Sequence, residues 1–124
     1  KPLAFGKIDG KPVFALPGWP MSVMITFHFY VKPALQKITG SMMRNLKIKG
    51  VLADSIKSEI GVTKFTLVKI ISENGTSIVE PLPLPKPPSA ARAFNAVIKA
   101  DGVVTVPEDI ENIEAGTEVD VKLF

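Results

Sequence analysis

Residues 14–22 have the sequence Phe-Ala-Leu-Pro-Gly-Trp-Pro-Met-Ser and contain the turn on which the fold depends. The apolar residues at the start of this stretch predict a buried strand that ends before Pro17. Gly18 permits a tight backbone turn, and Pro20 suits the first turn of a helix, where a missing N–H costs little. The stretch therefore predicts a strand that passes directly into a helix. We call residues 16–22 the elbow.

Ser22 falls in the first turn of the predicted helix, beside backbone N–H groups that have no partner within the helix. A helix start at the end of a strand is a ready site for a phosphate or another oxyanion, because the free donors and the helix dipole both favour negative charge. An ordinary structural turn explains the same residues equally well, since such turns are common in α/β folds. From the residues alone, both explanations stay open.

The chain on either side of the elbow predicts a hairpin and a long helix. Asp9-Gly10 separates two short apolar runs, which is a strong hairpin signal. The helix runs from about Pro20 to Ile38; Pro33 should kink or break it, and Gly40 should end it. The helix is apolar on nearly all sides, and such helices are normally buried. Two short strands cannot cover it, so we expect this part to be the end of a larger α/β domain.

After Arg44 the pattern changes to short strands. Asn74-Gly75 predicts a second hairpin, the proline-rich stretch 81–88 excludes regular structure, and Ser89 is a candidate N-cap for a helix over 90–99. The predicted strands cover 47–53, 65–71, 77–80, 102–106 and a last strand with Val119, Val121 and Leu123 facing inward. These elements predict a small β-barrel or a curled sheet with one inserted helix. The fold class is therefore α+β, with domains at residues 1–42 and 43–124.

The composition excludes several kinds of chemistry. The 124 residues contain no cysteine, which rules out disulfides, thiolate zinc sites and cysteine catalysis, and fits a cytoplasmic protein. His28 is the only histidine, so no histidine metal cluster or catalytic triad can form within the chain; a packing role is the commoner one for such a residue. The longest apolar run is too short to span a bilayer, so no membrane partner is expected.

Charge is divided unevenly along the chain. Residues 1–49 carry eight basic groups against the single acid Asp9, whereas residues 50–124 carry seven basic and eleven acidic groups. This asymmetry indicates an anionic partner for the first part. Basic residues are not interleaved with aromatic ones as in a stacking platform for nucleic acid, so no nucleic-acid partner is expected.

The order of these motifs resembles the MoeA/gephyrin family of molybdopterin molybdenumtransferases. Its pattern G-K-P-V-F-G-L-P-G-N-P-V-S is similar to residues 10–22, and its F-V-R-P-A-L is similar to residues 30–35. Further along, residues 51–58, 99–104 and 114–119 resemble motifs of the family's C-terminal β-domain. The resemblance covers essentially the whole chain, and family members are several hundred residues long. It implies a C-terminal portion: the last hairpin and helix of the molybdopterin-binding α/β domain of three layers, then the complete β-domain.

The resemblance also implies a function for the full-length protein. Family members insert molybdate or tungstate into adenylylated molybdopterin and release AMP, in a cleft between the α/β domain of one subunit and the terminal domain of another. By position, Gly18, Pro20 and Ser22 would line the site for molybdopterin or molybdate, with Lys1 and Lys11 adding positive charge. Arg92 and Asn95 are candidate contacts from the second subunit, although a solvated helix face explains them as well. Mg²⁺ would be held by carboxylates upstream of Lys1, and no metal ligand is assigned in this chain.

Two departures from the family pattern stand out. Trp19 replaces the usual asparagine after Leu-Pro-Gly, and an aromatic residue there is closer to the archaeal branch, where tyrosine is common. Residues 91–95 replace a stretch that is rich in serine and glycine in many members. Two alternative functions remain: a non-catalytic binding or scaffold relative of gephyrin, and, without the resemblance, a small β-barrel that binds nucleic acid through its basic N-terminal part.

Overall fold

The computed structural model describes residues 3–41, 46–83 and 89–124. The chain divides into two compact units. Of the described residues, 3–41 and 89–97 belong to one unit, and 46–83 and 98–124 belong to the other. The predicted domain boundary at 42/43 lies outside the described residues and stays a prediction.

The predicted hairpin is confirmed. Strands β1 (Ala4–Ile8) and β2 (Lys11–Ala15) pair antiparallel and form a two-stranded sheet. Asp9 and Gly10 connect them with φ of 50° and 77°, as a type I′ turn requires. The prediction that β2 is buried is wrong for this structure, because nearly all residues of both strands are exposed. A two-stranded sheet covers neither of its own faces.

The predicted helix runs from Pro20 to Thr39 and is broken where Pro33 requires it. Helix α1 (Pro20–Thr26) leads into a single wide π-type turn (Phe27–Val31) and then into α2 (Lys32–Thr39). Because Pro33 has no N–H to donate, the helical hydrogen bonds before it shift from four to five residues. The Lys32 N–H bonds to the Phe27 carbonyl, five residues back. Gly40, with φ of 68°, ends the helix in the left-handed conformation, as predicted.

The second unit contains a closed five-stranded barrel, which confirms the predicted α+β class with a β-barrel. The strand order around the barrel is β3-β6-β5-β7-β9, and all neighbouring pairs are antiparallel except β3 with β6. Asn74 and Gly75, both with positive φ, join β5 to β6. The described elements after residue 45 are β3 (Lys47–Leu52), β4 (Ile56–Lys57), β5 (Lys64–Glu73), β6 (Thr76–Pro81), α3 (Ala90–Lys99), β7 (Gly102–Val106), β8 (Asn112–Ile113) and β9 (Glu118–Leu123), of which α3 belongs mostly to the first unit.

The barrel core is built from alternating aliphatic residues. Val68, Val79, Val106 and Val121 are completely inaccessible to solvent and pack with Leu52 and other aliphatic residues in one cluster. In β9, Val119 and Val121 belong to this cluster and Leu123 packs against it, so the predicted inward face is confirmed. Alternation of side chains between the two faces of each strand produces this interior.

Two glycines allow barrel strands to approach closely. A Cβ at Gly50 would lie 2.6 Å from Val79 Cγ2, and a Cβ at Gly102 would lie 2.5 Å from the Lys122 carbonyl oxygen. Neither glycine has a positive φ, so the requirement is space rather than backbone conformation.

The barrel unit also contains a separate two-stranded sheet, which was not predicted from the sequence. Strands β4 and β8 have two residues each and pair Ile56 with Ile113. Two backbone hydrogen bonds of 2.7 Å continue this pairing beyond the two strands. The Ser58 N–H donates to the Glu111 carbonyl, and the Gly61 N–H donates to the Glu108 carbonyl. The backbone of the acidic stretch 108–114 therefore takes part in the fold of the barrel unit.

Candidate functional site

The elbow has the strand-to-helix geometry that the sequence predicts. β2 ends at Ala15, and Trp19 is the N-cap of α1 with extended backbone angles (φ −83°, ψ 130°). The Val23 N–H donates to the Trp19 carbonyl oxygen at 2.9 Å, which is the first bond of the helix. Pro20 therefore occupies the first helical position, where its missing N–H leaves no bond unmade.

The first turn of α1 presents backbone donors. The N–H groups of Met21 and Ser22 precede the first residue that can find an acceptor within the helix, so the partial positive charge of the helix is concentrated there. No side chain caps this end, and no acidic residue lies in the first turn. An anion at this position would meet two aligned donors and no competing carboxylate from the first turn.

Ser22 is anchored by its main chain. Its carbonyl oxygen accepts a hydrogen bond from Thr26 Oγ1, which also lies 3.2 Å from the Val23 carbonyl oxygen. Thr26 is buried with 7% exposure, and Ser22 is half-buried. The hydroxyl of Thr26 therefore bonds back onto carbonyl groups of the first turn, as Ser and Thr side chains within helices commonly do.

The surroundings of Gly18 are open. Its φ is not positive, and a Cβ at this position would meet no atom within 4 Å. Gly18 lies in the turn, where glycine was predicted to permit a tight backbone, but the backbone conformation there does not itself require glycine. Apart from its two chain neighbours, no described residue lies within 4 Å of the Cβ position of Gly18, so the backbone is uncovered on that side.

Lys11, one of the two lysines predicted to assist the elbow, lies at the far end of β2. Lys11 begins β2 and is exposed beside the hairpin turn, so its backbone lies about 17 Å from Leu16 along the strand. Lys1 lies outside the described residues. A direct contribution of Lys11 at the elbow therefore stays a prediction.

The second pair of candidate residues lies on α3. Asn95 is exposed, and Arg92 belongs to the same helix, but its side chain lies outside the described part of the structure. Their predicted role as contacts from a second subunit stays a prediction, and so does the homodimer.

A shallow pocket of about 290 Å³ lies beside α2, a feature that the sequence analysis did not identify. His28 Nε2 and Lys32 Nζ lie 3.5 Å apart on its wall, four residues apart along the helix. Its remaining wall is mostly apolar and is formed by Phe27, Leu35, Gln36, Thr39 and Ser41. The local signal was the i, i+4 spacing of His28 and Lys32 on one helix face.

The described residues form neither a metal-binding cluster nor a membrane-spanning helix. No group of three or more His, Asp or Glu side chains within residues 3–41, 46–83 and 89–124 is placed to hold a metal ion. The described residues therefore do not fit a resident Mg²⁺. Over the same ranges, no helix is long and apolar enough to cross a membrane.

A hairpin, a helix with one π-type turn and a closed five-stranded barrel make up an α+β chain with a strand-to-helix elbow in its first unit. Residues 49–124 match the family model of the MoeA C-terminal region, domain IV, and the chain therefore belongs to the MoeA family. This match confirms the resemblance that the motifs indicate.

Named relatives agree with this assignment. The chain is 32% identical over its whole length to a protein of Methanocaldococcus jannaschii named for molybdopterin biosynthesis, and 28% identical over 97% of its length to molybdopterin molybdenumtransferase 2 of Mycobacterium tuberculosis. It covers 27% and 28% of those proteins, so it spans less than a third of their length.

A solved structure extends the likeness to three dimensions. The molybdopterin biosynthesis MoeA protein of Pyrococcus horikoshii superposes with a TM-score of 0.78 at 35% identity, covering 99% of this chain and 29% of the larger one. A molybdenum cofactor biosynthesis protein of Pyrococcus furiosus gives a TM-score of 0.72 over 90% of this chain and 38% of its own.

Proposed function

We propose that the full-length protein works in molybdenum cofactor biosynthesis, inserting molybdate or tungstate into adenylylated molybdopterin with release of AMP. The elbow carries the proposal: an uncapped helix start with open space before it, in a chain whose named relatives include molybdopterin molybdenumtransferases. In this proposal, residues 1–42 end the molybdopterin-binding domain, residues 43–124 form the terminal domain, and the chain alone is inactive.

The elbow would act by holding anions. Molybdate and the phosphates of adenylylated molybdopterin are all negatively charged, and the Met21 and Ser22 N–H groups supply donors that are already aligned. When AMP departs, negative charge grows on the separating phosphates. Donors that are fixed in advance stabilise such charge without reorganisation at the moment of reaction.

Pro20 and Gly18 would contribute through geometry rather than chemistry. Pro20 sets the start of α1, so the donors point in a constant direction, and Gly18 leaves room for the phosphate to reach them. Lys1 and Lys11 would add long-range attraction for the anionic substrates. Arg92 and Asn95 would approach from a second subunit of a homodimer, Mg²⁺ would be bound by residues outside this chain, and the protein would work in the cytoplasm.

The proposal is tested by measuring AMP release from adenylylated molybdopterin on addition of molybdate, using the full-length protein. Ser22→Ala should lower turnover on the order of 10-fold to 100-fold, because the substrate loses one hydroxyl partner. Gly18→Val should lower it further, since the branched side chain fills the approach to the first turn. Neither variant should unfold the protein, because Gly18 is exposed and Ser22 is held through its backbone.

Matched controls carry the same changes away from the elbow. Ser72→Ala removes an exposed hydroxyl in β5, and Gly6→Val adds a side chain in β1 where a Cβ meets nothing within 4 Å. Both should keep normal turnover. Normal turnover in Ser22→Ala and Gly18→Val would make the elbow purely structural, and failure of the wild type to release AMP would reject the enzyme in favour of a gephyrin-like binding or scaffold protein.

The nucleic-acid alternative is tested by the salt dependence of binding affinity. A barrel that binds RNA or DNA through its basic N-terminal part must lose affinity steeply as salt rises. Weak salt dependence of any nucleic-acid binding would reject this alternative.

A further inference from the structure

We propose that Asn74 is a site of spontaneous covalent modification, at which the side-chain amide is lost and the backbone of the turn between β5 and β6 rearranges to isoaspartate. The reaction needs only water as a co-reactant and does not depend on the function proposed above. Asparagine is one of the thermolabile residues of proteins. The fold gives a specific reason why this asparagine should react before the others.

The place of Asn74 in the chain is the first observation. Of the four asparagines in the sequence, it is the only one that is followed by glycine. Asn74 and Gly75 form the two-residue turn between β5 and β6, with φ of 50° and 80°. The pairing of the two strands ends at Glu73 and Thr76. The peptide nitrogen of Gly75 therefore lies outside the strand pairing.

The surroundings of the turn are the second observation. Asn74 and Gly75 are both exposed, and a Cβ at Gly75 would meet no atom of the described residues within 4 Å. The Asn74 side chain can therefore reach the Gly75 nitrogen without a neighbouring group in the way. Closure of a ring requires Asn74 to leave its turn conformation, and an exposed hairpin end opens more easily than the strands behind it.

The chemistry takes place between two neighbouring residues. The Gly75 nitrogen attacks Cγ of Asn74, so that a carbon–nitrogen bond forms while the bond from Cγ to Nδ2 breaks. The amide nitrogen leaves as ammonia and takes the hydrogen of the Gly75 N–H with it, which leaves a cyclic succinimide. Water then opens the ring. Addition at Cγ gives aspartate, whereas addition at the main-chain carbonyl carbon gives isoaspartate, whose backbone runs through Cβ and Cγ.

The two products should differ in their effect on the barrel. Asp-Gly is a pair that a type I′ turn accepts, so aspartate should leave the turn intact. Isoaspartate adds one atom to the backbone, which a two-residue turn cannot absorb while Glu73 stays paired with Thr76. Further along the same hairpin, Ile70 pairs with Val79, which is completely buried. Formation of isoaspartate should therefore loosen the strand pairing towards the core.

Mass spectrometry tests the site. The folded full-length protein is incubated at mildly alkaline pH for several half-lives of a synthetic peptide with the sequence of residues 70–79. We expect conversion of Asn74 to both aspartate and isoaspartate, the second identified by an isoaspartate-specific methyltransferase. An intact Asn74 would overturn the proposal. Conversion to aspartate alone would also overturn it, because the ring is the source of isoaspartate.

Other positions of the same chain serve as controls. Asn95 lies within α3 and is followed by alanine. Asn112 is followed by isoleucine, and its Nδ2 donates to Glu114 Oε1. Both should stay unmodified, and equal conversion at Asn95 and Asn74 would overturn the role of the turn. Asp9 lies in a turn of the same kind but has no ammonia to lose, so isoaspartate should form there more slowly.

Hydrogen exchange tests the effect on the barrel, and Asn74→Gly is the matched variant. Gly-Gly also suits a type I′ turn but has no side-chain amide to lose. In wild type that carries isoaspartate, the backbone amides of β5 and β6 should exchange roughly 5-fold to 30-fold faster than in fresh protein. Incubated Asn74→Gly should keep its initial exchange rates, and fresh Asn74→Asp should match fresh wild type. Unchanged exchange in wild type that carries isoaspartate would overturn the predicted loosening.

Discussion

The two units of this chain differ in the burial of their apolar residues, which are mostly buried in the barrel unit and mostly exposed in the first unit. Among the described residues, ten of the twelve buried hydrophobic side chains belong to the barrel unit. Of the described residues, ten large hydrophobic ones are exposed in the first unit (3–41 and 89–97), against four in the barrel unit (46–83 and 98–124). Only Ile25, Thr26 and Val31 are buried in the hairpin and the broken helix. The barrel has a core of its own, and the first unit has an apolar surface instead.

This difference shows which part of the chain carries its own stability. Burial of apolar surface is the dominant favourable contribution to folding, and side chains that remain in water do not provide it. We therefore expect the barrel to be the stable part of the isolated chain, and the hairpin and helix to depend on further apolar contacts. The three predictions that follow test this difference, beginning with the largest effect.

A matched pair of leucines gives the sharpest test. Leu52 is 1% exposed in the barrel core, so Leu52→Ala should lower the free energy of unfolding by about 2–5 kcal/mol. Leu35 is 41% exposed in α2, and Leu35→Ala should change it by less than about 0.5 kcal/mol. Urea denaturation of the isolated chain measures both. Equal effects would contradict the proposed difference between the units; a large effect of Leu35→Ala in the full-length protein alone would show that further chain covers this face.

A pair of glycines gives the second test. Gly102→Ala places a Cβ 2.5 Å from the Lys122 carbonyl oxygen and 2.7 Å from Val121 Cγ1, so barrel strands must move apart, at a cost of about 1–3 kcal/mol. Gly6→Ala adds the same methyl group to β1, where nothing lies within 4 Å, and should be close to neutral. The thermal midpoints of the two variants check the prediction. A neutral Gly102→Ala would show that the barrel tolerates looser packing than its core indicates.

The smallest effect concerns charge on the barrel surface. The hydrogen bond from Lys49 Nζ to Glu118 Oε1, at 2.8 Å, is the main cause that raises the pKa of Lys49 above its ordinary value of 10.5, with the charges of Glu118 and Asp120 adding to it. The pair therefore favours the folded state below that ordinary pKa, and its contribution is lost as pH rises through the higher folded value.

Glu118→Gln should lower the pKa of Lys49 towards 10.5, as measured by NMR titration of the Lys49 side chain from about pH 9 to about pH 12. Both side chains are largely exposed, at 70% and 62%, so stability at neutral pH should hardly change. A large loss of stability would mean that the barrel surface matters more than its core. Raising the salt to about 0.5 M should shrink the pKa difference as a control.

Local chemistry made much of the fold predictable. Asp9-Gly10 and Asn74-Gly75 form turns whose residues have positive φ, a conformation that few residue pairs adopt so readily. Pro33 made the irregular turn of the helix predictable, because a proline has no N–H for the regular helical hydrogen bond. Strand β9 was predictable because Val119, Val121 and Leu123 alternate with polar residues.

Features that depend on distant partners could not be predicted in the same way. Strands β4 and β8 have two residues each, which is too short for any alternation to show. The parallel pairing of Val51 with Ile78 depends on the whole barrel and leaves no local pattern. At the candidate site, the elbow was predictable from Pro20. The uncovered backbone at Gly18 was not predictable, because the neighbouring residues in the sequence do not show which positions stay uncovered in the fold.

The place of β9 in the barrel has a consequence for synthesis of the protein. β9 lies between β7 and β3, and the Lys49–Glu118 pair joins residues that are 69 positions apart. On the ribosome, one edge of β3 therefore stays open until the final strand has been made, for roughly 3–14 s at usual rates of translation. An unpaired strand edge in a nascent chain is a site for aggregation. Lys47 and Lys49 are exposed on this strand, and charged residues of this kind protect an unpaired edge from aggregation until the neighbouring strand has been made.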